Sequence, residues 1–193
     1  MRWDEWAAVH PGAFPETPWL GPEAIEFFQG ILRPGFRVLE HGAGGSTIWL
    51  ARRVAWLTSM EHDPSWLAAV ERALVESGLR HKAAVVRVPI AQEPDFKDRA
   101  GAAIASGRRW DLVYVDGHVS GRAFVIELGA QQLRPGGWMV IDNVGGRDGD
   151  PDYWERTYGV ADALRRLDGW ERTDIQAWVD GKHNATAFCR KPA

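Results

Sequence analysis

The chain has 193 residues, 45% hydrophobic and 25% charged, the balance of one soluble globular domain long enough to bury a full core. Its 23 basic and 26 acidic residues leave a net charge of −3, which gives no reason to expect a nucleic-acid or membrane-surface partner. A single cysteine, Cys189, excludes an internal disulfide and fits a reducing cytoplasm, and neither a leader-like stretch nor an apolar run of membrane-spanning length is visible.

Residues 1–20 are rich in Trp and Pro and lack a clear period, so they read as an arm folded over the domain. Of the 11 tryptophans, Trp3, Trp6, Trp19 and Trp154 fall outside the strand-like runs and are candidates to wall a pocket for a flat substrate. Gly21-Pro22-Glu23 opens a helix whose apolar face is Ile25, Phe28, Ile31 and Leu32, and Pro34-Gly35 ends it. Phe36 to Glu40 is the first strand, Ser46 to Arg53 a short helix, and Ala55 to Glu61 the second strand. Asp63-Pro64 starts a helix with Trp66, Leu67, Val70 and Leu74 as its buried stripe. Ala83 to Val88 is the third strand, 89–97 a loop and 98–106 a short helix.

Leu112-Val113-Tyr114-Val115 and Trp138-Met139-Val140-Ile141 are unbroken apolar runs, the pattern of parallel strands covered on both faces. Ser120 to Gln132 is helical between them, and Pro135-Gly136-Gly137 turns into the later strand. Residues 144–151 are a glycine-rich polar loop that, with Tyr153 and Trp154, reads as a lid over 144–154, and Arg147 there could meet an anionic substrate. Asp152 and Glu155 have capping-box spacing for a helix through Leu167. Trp170 to Val179 and Ala185 to Arg190 are strands joined by a hairpin turn at 180–184. Alternating strands and helices closed by a hairpin imply an α/β domain, 1–193, with a parallel sheet between helices and an antiparallel strand at its end.

The glycine-dense stretch Glu40-His41-Gly42-Ala43-Gly44-Gly45-Ser46-Thr47 is where this organisation points to a ligand. Two apolar residues and an acid run into a turn that lacks Cβ atoms where a ligand would approach the main chain. The helix start beyond it would aim free N–H groups at that ligand, with Ser46 as a cap. A dinucleotide fingerprint wants Gly or Ala as its third small residue, and Thr47 stands there. Glu40, two residues before Gly42, would sit badly beside a diphosphate but would suit an ammonium group.

The order of these landmarks resembles the class I S-adenosylmethionine-dependent methyltransferases. The resemblance rests on Glu40-x-Gly42-x-Gly44, on Glu61 after the second strand, on Trp110-Asp111 through Asp116-Gly117, and on Leu133 through Asp142-Asn143. It implies a Rossmann-like, seven-stranded, mostly parallel sheet with helices on both faces and a C-terminal antiparallel hairpin. It implies S-adenosylmethionine (SAM) as cofactor, bound by Glu40, Gly42, Gly44, Ser46, Glu61, His62 and Asp116, with Glu61 on the ribose hydroxyls and His62 and Ile90 flanking the adenine.

The rim beyond the fourth and fifth strands also resembles the catechol O-methyltransferase-like branch. That likeness implies a divalent cation such as Mg²⁺ on Asp116, Asp142 and Asn143, hard oxygen ligands of the kind that ion takes. Pro18-Trp19-Leu20, the stretch 40–47 and Ser59-Met-Glu-His-Asp63 resemble uncharacterised bacterial methyltransferases that lack a metal. In that version His118 is the candidate general base, with His183 a poorer one. Asp116, His118 and Asp142 are the expected catalytic set, a small-molecule oxygen is the expected methyl acceptor, and a homodimer is left open. A nicotinamide-dependent oxidoreductase and a non-catalytic SAM-binding module remain as alternatives, and Asp116 could equally cap the next helix while Asp142-Asn143 opens a turn.

Overall fold

In the computed structural model, residue 8 and residues 14–106, 109–144, 160–179 and 182–193 are described, with backbone alone at 178–179 and 182–183. Seven strands form one sheet: β1 (Arg37–His41), β2 (Trp56–Glu61), β3 (Ala83–Arg87), β4 (Trp110–Val115), β5 (Leu133–Asp142), β6 (Glu171–Val179) and β7 (Lys182–Arg190). Their order across the sheet is β3-β2-β1-β4-β5-β7-β6. The first five run parallel, β7 is antiparallel to both β5 and β6, and the expected architecture is the one observed.

Alternate residues of each strand point to opposite faces of the sheet, and two cores result. Val38, Leu57, Leu112 and Tyr114 pack under helices α1 (Pro22–Ile31), α2 (Gly45–Ala51) and α3 (Pro64–Glu76). Leu39, Met60, Val113 and Val115 pack under α4 (Phe96–Ala105), α5 (Val119–Gln132) and α6 (Val160–Arg165). Cys189 lies in the second core, and burial pushes its thiol up to about 11, so it behaves as the small buried hydrophobe its apolar surroundings suggest.

Asp63 caps α3 as its sequence implies, accepting from the amides of Ser65 at 2.8 Å and Trp66 at 3.0 Å. Pro135-Gly136-Gly137, expected as a turn before β5, instead lies within the strand as an irregularity. Pairing with β4 jumps from Trp110↔Leu133 to Leu112↔Trp138, and Gly136 there has φ +72°. β7 begins at Lys182, earlier than the expected Ala185, because its pairing with β6 runs out to Val179↔Lys182.

The chain steps outward from β1 to β3 and then returns to place β4 on the other side of β1. The C-terminal ends of β1 and β4 therefore form the switch point at which such sheets hold ligands. No helix among the described residues is long and apolar enough to cross a membrane. Trp3, Trp6, Arg147, Tyr153, Trp154, the capping pair Asp152 and Glu155, and the lid beyond Val144 lie outside the described residues.

Candidate active site

A cavity of about 350 Å³ opens at this switch point, lined by the loop 42–46, by Glu61, His62, Asp63 and Trp66 beyond β2, and by Asp116, Gly117 and His118 beyond β4. Thr17 and Trp19 close one side, and the Trp19 ring lies 6.1 Å from that of Trp66, placing this exposed tryptophan at the pocket as expected.

Two glycines at the floor allow the loops to meet. Gly42 has φ +97°, and a Cβ there would stand 2.6 Å from the backbone of Gly117. A Cβ on Gly117 would stand 2.8 Å from the His41 ring.

Three amides of the loop are engaged within the protein. Gly42 N–H donates to the Met60 carbonyl at 2.9 Å, Ala43 N–H to Glu61 Oε2 at 3.1 Å, and Gly44 N–H to Thr47 Oγ1 at 2.8 Å. Ser46 is not the expected cap: it lies within the first turn of α2 and donates to Glu40 Oε1 at 2.5 Å. Thr47 Oγ1 and Ser59 Oγ donate to Glu40 Oε2 at 2.6 and 2.5 Å. Glu40 is wholly buried behind the loop and does not line the cavity. Burial pushes its carboxyl up to about 7, opposed by those three hydroxyls.

Glu61 does face the cavity. Its Oε1 accepts from the amides of His62 and Asp63, both at 2.8 Å, and meets His62 Nδ1 at 2.9 Å. Oε2 carries only the Ala43 amide among these bonds, so this is the oxygen with room for a ligand hydroxyl. The pairing with Glu61 raises the His62 pKa.

His118 caps α5. Its Nδ1 accepts from the Ser120 amide at 3.4 Å and meets Ser120 Oγ at 2.8 Å. Burial, His62 and Arg122 lower its pKa, so the ring is neutral near pH 7. With Nδ1 acting as the cap's acceptor, the neutral ring carries its proton on Nε2, which makes it a donor toward the cavity rather than a base. Its ring centroid lies 5.1 Å from that of His62.

The residues that sequence reasoning missed lie behind this rim. Arg122, in the first turn of α5 and only 4% exposed, sends its guanidinium back over the strand ends. Nε donates to the Gly117 carbonyl at 2.9 Å and Nη1 to the Asp142 carbonyl at 2.5 Å. Nη2 reaches the Asp116 carbonyl at 2.9 Å, Asp116 Oδ1 at 3.4 Å and Asn143 Oδ1 at 3.1 Å. Asp116 Oδ2 accepts from Tyr114 OH at 3.1 Å. The Asp142 carboxylate accepts from Thr186 Oγ1 at 2.8 Å and Asn184 Nδ2 at 3.1 Å, both on β7. Asn143, with φ +57°, donates to Asn184 Oδ1 at 2.9 Å. Burial raises the pKa of both Asp116 and Asp142; the nearby Asp142 charge raises that of Asp116 further and Arg122 opposes both shifts.

Two expectations change as a result. Asp142 is buried and does not line the cavity, so only Asp116 and His118 of the expected catalytic set reach it. The residues proposed for Mg²⁺ do not fit a divalent cation: a guanidinium already bridges Asp116, Asp142 and Asn143, and donors from β7 engage the Asp142 oxygens. Nor do the described residues include a cluster of three or more His, Cys, Asp and Glu able to hold a metal ion.

His41 was also missed. It follows Glu40 on β1 but faces the opposite core, beneath an adjoining hollow lined by Met60, Val88, Ile90 and Phe96. Burial lowers its pKa to about 3, so it is neutral, and its Nδ1 has no hydrogen-bond partner.

Residues 39–144 match a methyltransferase domain family. The chain belongs to that family. A candidate O-methyltransferase of Mycobacterium sp. (strain JLS) is 31% identical over 150 residues, which cover 74% of this chain and 64% of that protein. This chain spans 64% of the length of the curated relatives it matches. Among solved structures, the O-methyltransferase of Bacillus cereus in complex with SAH has a TM-score of 0.68 at 18% identity, covering 97% of this chain and 87% of its own. TomG of Streptomyces achromogenes, an O-methyltransferase involved in tomaymycin synthesis and solved with SAM, has a TM-score of 0.66 at 23% identity, covering 83% and 75%. The likeness to these two structures is one of fold. The methyltransferase domain accounts for β1 through the end of β5, including the glycine loop and both ends of the rim.

Proposed function

We propose that this protein is a SAM-dependent methyltransferase acting on an oxygen of a small-molecule acceptor. The observation that carries the reading is the chemistry of the cavity. Glu61, Asp63 and Asp116 line it, no lysine or arginine does among the described residues, and the amides of residues 42–44 are engaged. A diphosphate would meet three carboxylates, whereas a ligand carrying an ammonium and a sulfonium meets complementary charge. The family membership and the SAM- and SAH-bound neighbours in fold support the same choice.

When bound, SAM supplies a methyl group on a positively charged sulfur, and the electron pair of the breaking C–S bond stays on that sulfur. In this reading Glu61 Oε2 holds a ribose hydroxyl, and Gly42 and Gly44 let the cofactor lie against the loop. Glu40 acts from behind, fixing the turn through Ser46, Thr47 and Ser59. His118 donates from Nε2 to the acceptor, and Asp116 takes the acceptor's hydroxyl proton as the new O–C bond forms. A carboxyl whose pKa is raised above the ordinary carboxylate range is a stronger base for that step. Trp19 and Trp66 offer flat walls beside the cavity, which suits an aromatic acceptor.

Calorimetric titration with SAH and with NAD, side by side, tests the cofactor. SAH binding with no response to NAD is the expected result, and the reverse would overturn the reading. Asp116→Asn is expected to keep SAH affinity within about threefold while slowing methyl transfer by about 100-fold or more.

A further inference from the structure

Arg122 stands where a cation needs a reason to be. It lies in the first turn of α5, where the helix dipole disfavours positive charge, and it is almost wholly removed from water. What stabilises it there is a ring of oxygens from the ends of two strands: the carbonyls of Asp116, Gly117 and Asp142, Asp116 Oδ1 and Asn143 Oδ1. Surrounding that ring, Tyr114 comes from β4, and Asn184 and Thr186 from β7 complete the shell on Asp142. One carboxylate, an amide and three backbone carbonyls converge on one point, with the Asp142 carboxylate close behind it; these are hard oxygen donors, and the point they share is filled by a guanidinium.

We propose that Arg122 is the resident cation of the reaction rim: a positioning residue that ties the ends of β4 and β5 together, fixes Asp116 at the cavity, and excludes a divalent ion. The inference rests on the methyltransferase reading for the meaning of the rim, but the exclusion of metal follows from the oxygens Arg122 occupies. Its planar fork spans carbonyl and carboxylate partners on both strands at once, which a hydrated ion on two carboxylates would not do without displacing it. The acceptor is then held by the protein's own groups, with charge at the rim set by a covalently attached cation.

Manganese is the probe, because its electron paramagnetic resonance signal is lost from the free-ion spectrum when it binds. Wild type is expected to leave the signal unchanged at millimolar Mn²⁺, and its melting temperature is expected not to move with Mg²⁺. Arg122→Ser leaves two carboxylates without their cation and is expected to bind Mn²⁺ at least about tenfold more tightly than wild type, with Mg²⁺ now raising its melting temperature. Arg122→Lys, which keeps a charge in place, is expected to exclude Mn²⁺ as wild type does and serves if the serine variant does not fold. Stoichiometric Mn²⁺ binding by wild type, or by the lysine variant, overturns the proposal. A folded serine variant with no gain in Mn²⁺ affinity overturns it too. SAH titration of the same samples separates the two readings: wild type that excludes Mn²⁺ but does not bind SAH would refute the methyltransferase assignment and leave the assignment of Arg122 standing.

Discussion

Glu40 and Asp116 pose one physical problem at the ends of neighbouring strands, and the fold solves it twice. Glu40 lies at the end of β1, opposite Tyr114 in register, and Asp116 follows the end of β4. Removal from water raises the pKa of each. Around Glu40 the compensation is neutral, three hydroxyls from α2 and β2 at 2.5–2.6 Å. Around Asp116 it is ionic, a guanidinium from α5 supported by a tyrosine hydroxyl. Hydroxyls can rotate to serve either protonation state of a carboxyl, whereas a guanidinium only donates and favours the charged one. The first arrangement anchors a loop whatever the charge of Glu40; the second gives a carboxylate at the cavity an ionic partner. Position along the sheet therefore does not decide a carboxylate's role. Its donors do.

Removing the cation breaks the comparison most severely. Arg122→Met leaves Asp116 and Asp142 close together without their shared guanidinium, and breaking a buried ionic network of this kind costs about 3–5 kcal/mol. Chemical denaturation of wild type and variant is expected to show a loss of that size. A change within about 0.5 kcal/mol would mean that the clamp adds nothing to the fold. Gly42→Ala comes next. Its φ of +97° disfavours a side chain, and the new Cβ would press on the Gly117 backbone at 2.6 Å. Backbone strain and overpacking together predict a loss of about 3 kcal/mol, accompanied by loss of SAH binding because the same contact shapes the cavity floor.

Glu40→Gln tests the neutral side. The pKa of Glu40 is raised in the folded protein from an ordinary 4.5 to about 7, so its stabilising contribution is complete below pH 4.5 and is lost as pH rises through about 7. Wild-type stability is expected to fall by about 3 kcal/mol across that window from this group alone. An amide does not titrate, so the glutamine variant should be flatter with pH. Near pH 4.5 it is expected to be about 1 kcal/mol less stable than wild type, since the amide brings two donors among three hydroxyls. Above pH 7 the gap should close or invert. Parallel lines for the two proteins across pH 4–8 would show that Glu40 is not the group titrating.

The sheet, the glycine loop and the acid at the end of β2 were legible in the sequence because each is local. Continuous apolar runs mark strands buried on both faces, and glycine density marks close backbone approach. The donors around Asp142 are not local. Arg122 is 20 residues from Asp142, and Asn184 is 42 residues from it. Asn184 and Thr186 do alternate with Ala185 and Ala187 along β7, and that alternation was a signal available in the sequence. It becomes interpretable only once β7 is paired with β5, with Asp142 opposite Thr186. The metal expectation took no account of such a partner: its three residues are present and near one another, but a helix with little apolar pattern delivers a guanidinium between them.

The smallest effect belongs to Glu61, which stands between the two cases. Two backbone amides and His62 hold its Oε1, and the imidazole is 40% exposed. The pairing raises the His62 pKa, so its contribution is complete below the ordinary 6.5 and is lost as pH climbs through the raised value. Solvent screening keeps that contribution below about 1 kcal/mol. His62→Ala is therefore expected to be slightly less stable than wild type at pH 6 and indistinguishable from it at pH 9. Affinity for SAH should change by no more than about threefold, because the two amides still orient the carboxylate and Oε2, which carries only the Ala43 amide, keeps room for a ribose hydroxyl. A large loss of SAH binding in this variant would mean that the imidazole itself, and not the carboxylate it touches, is the group that holds the cofactor.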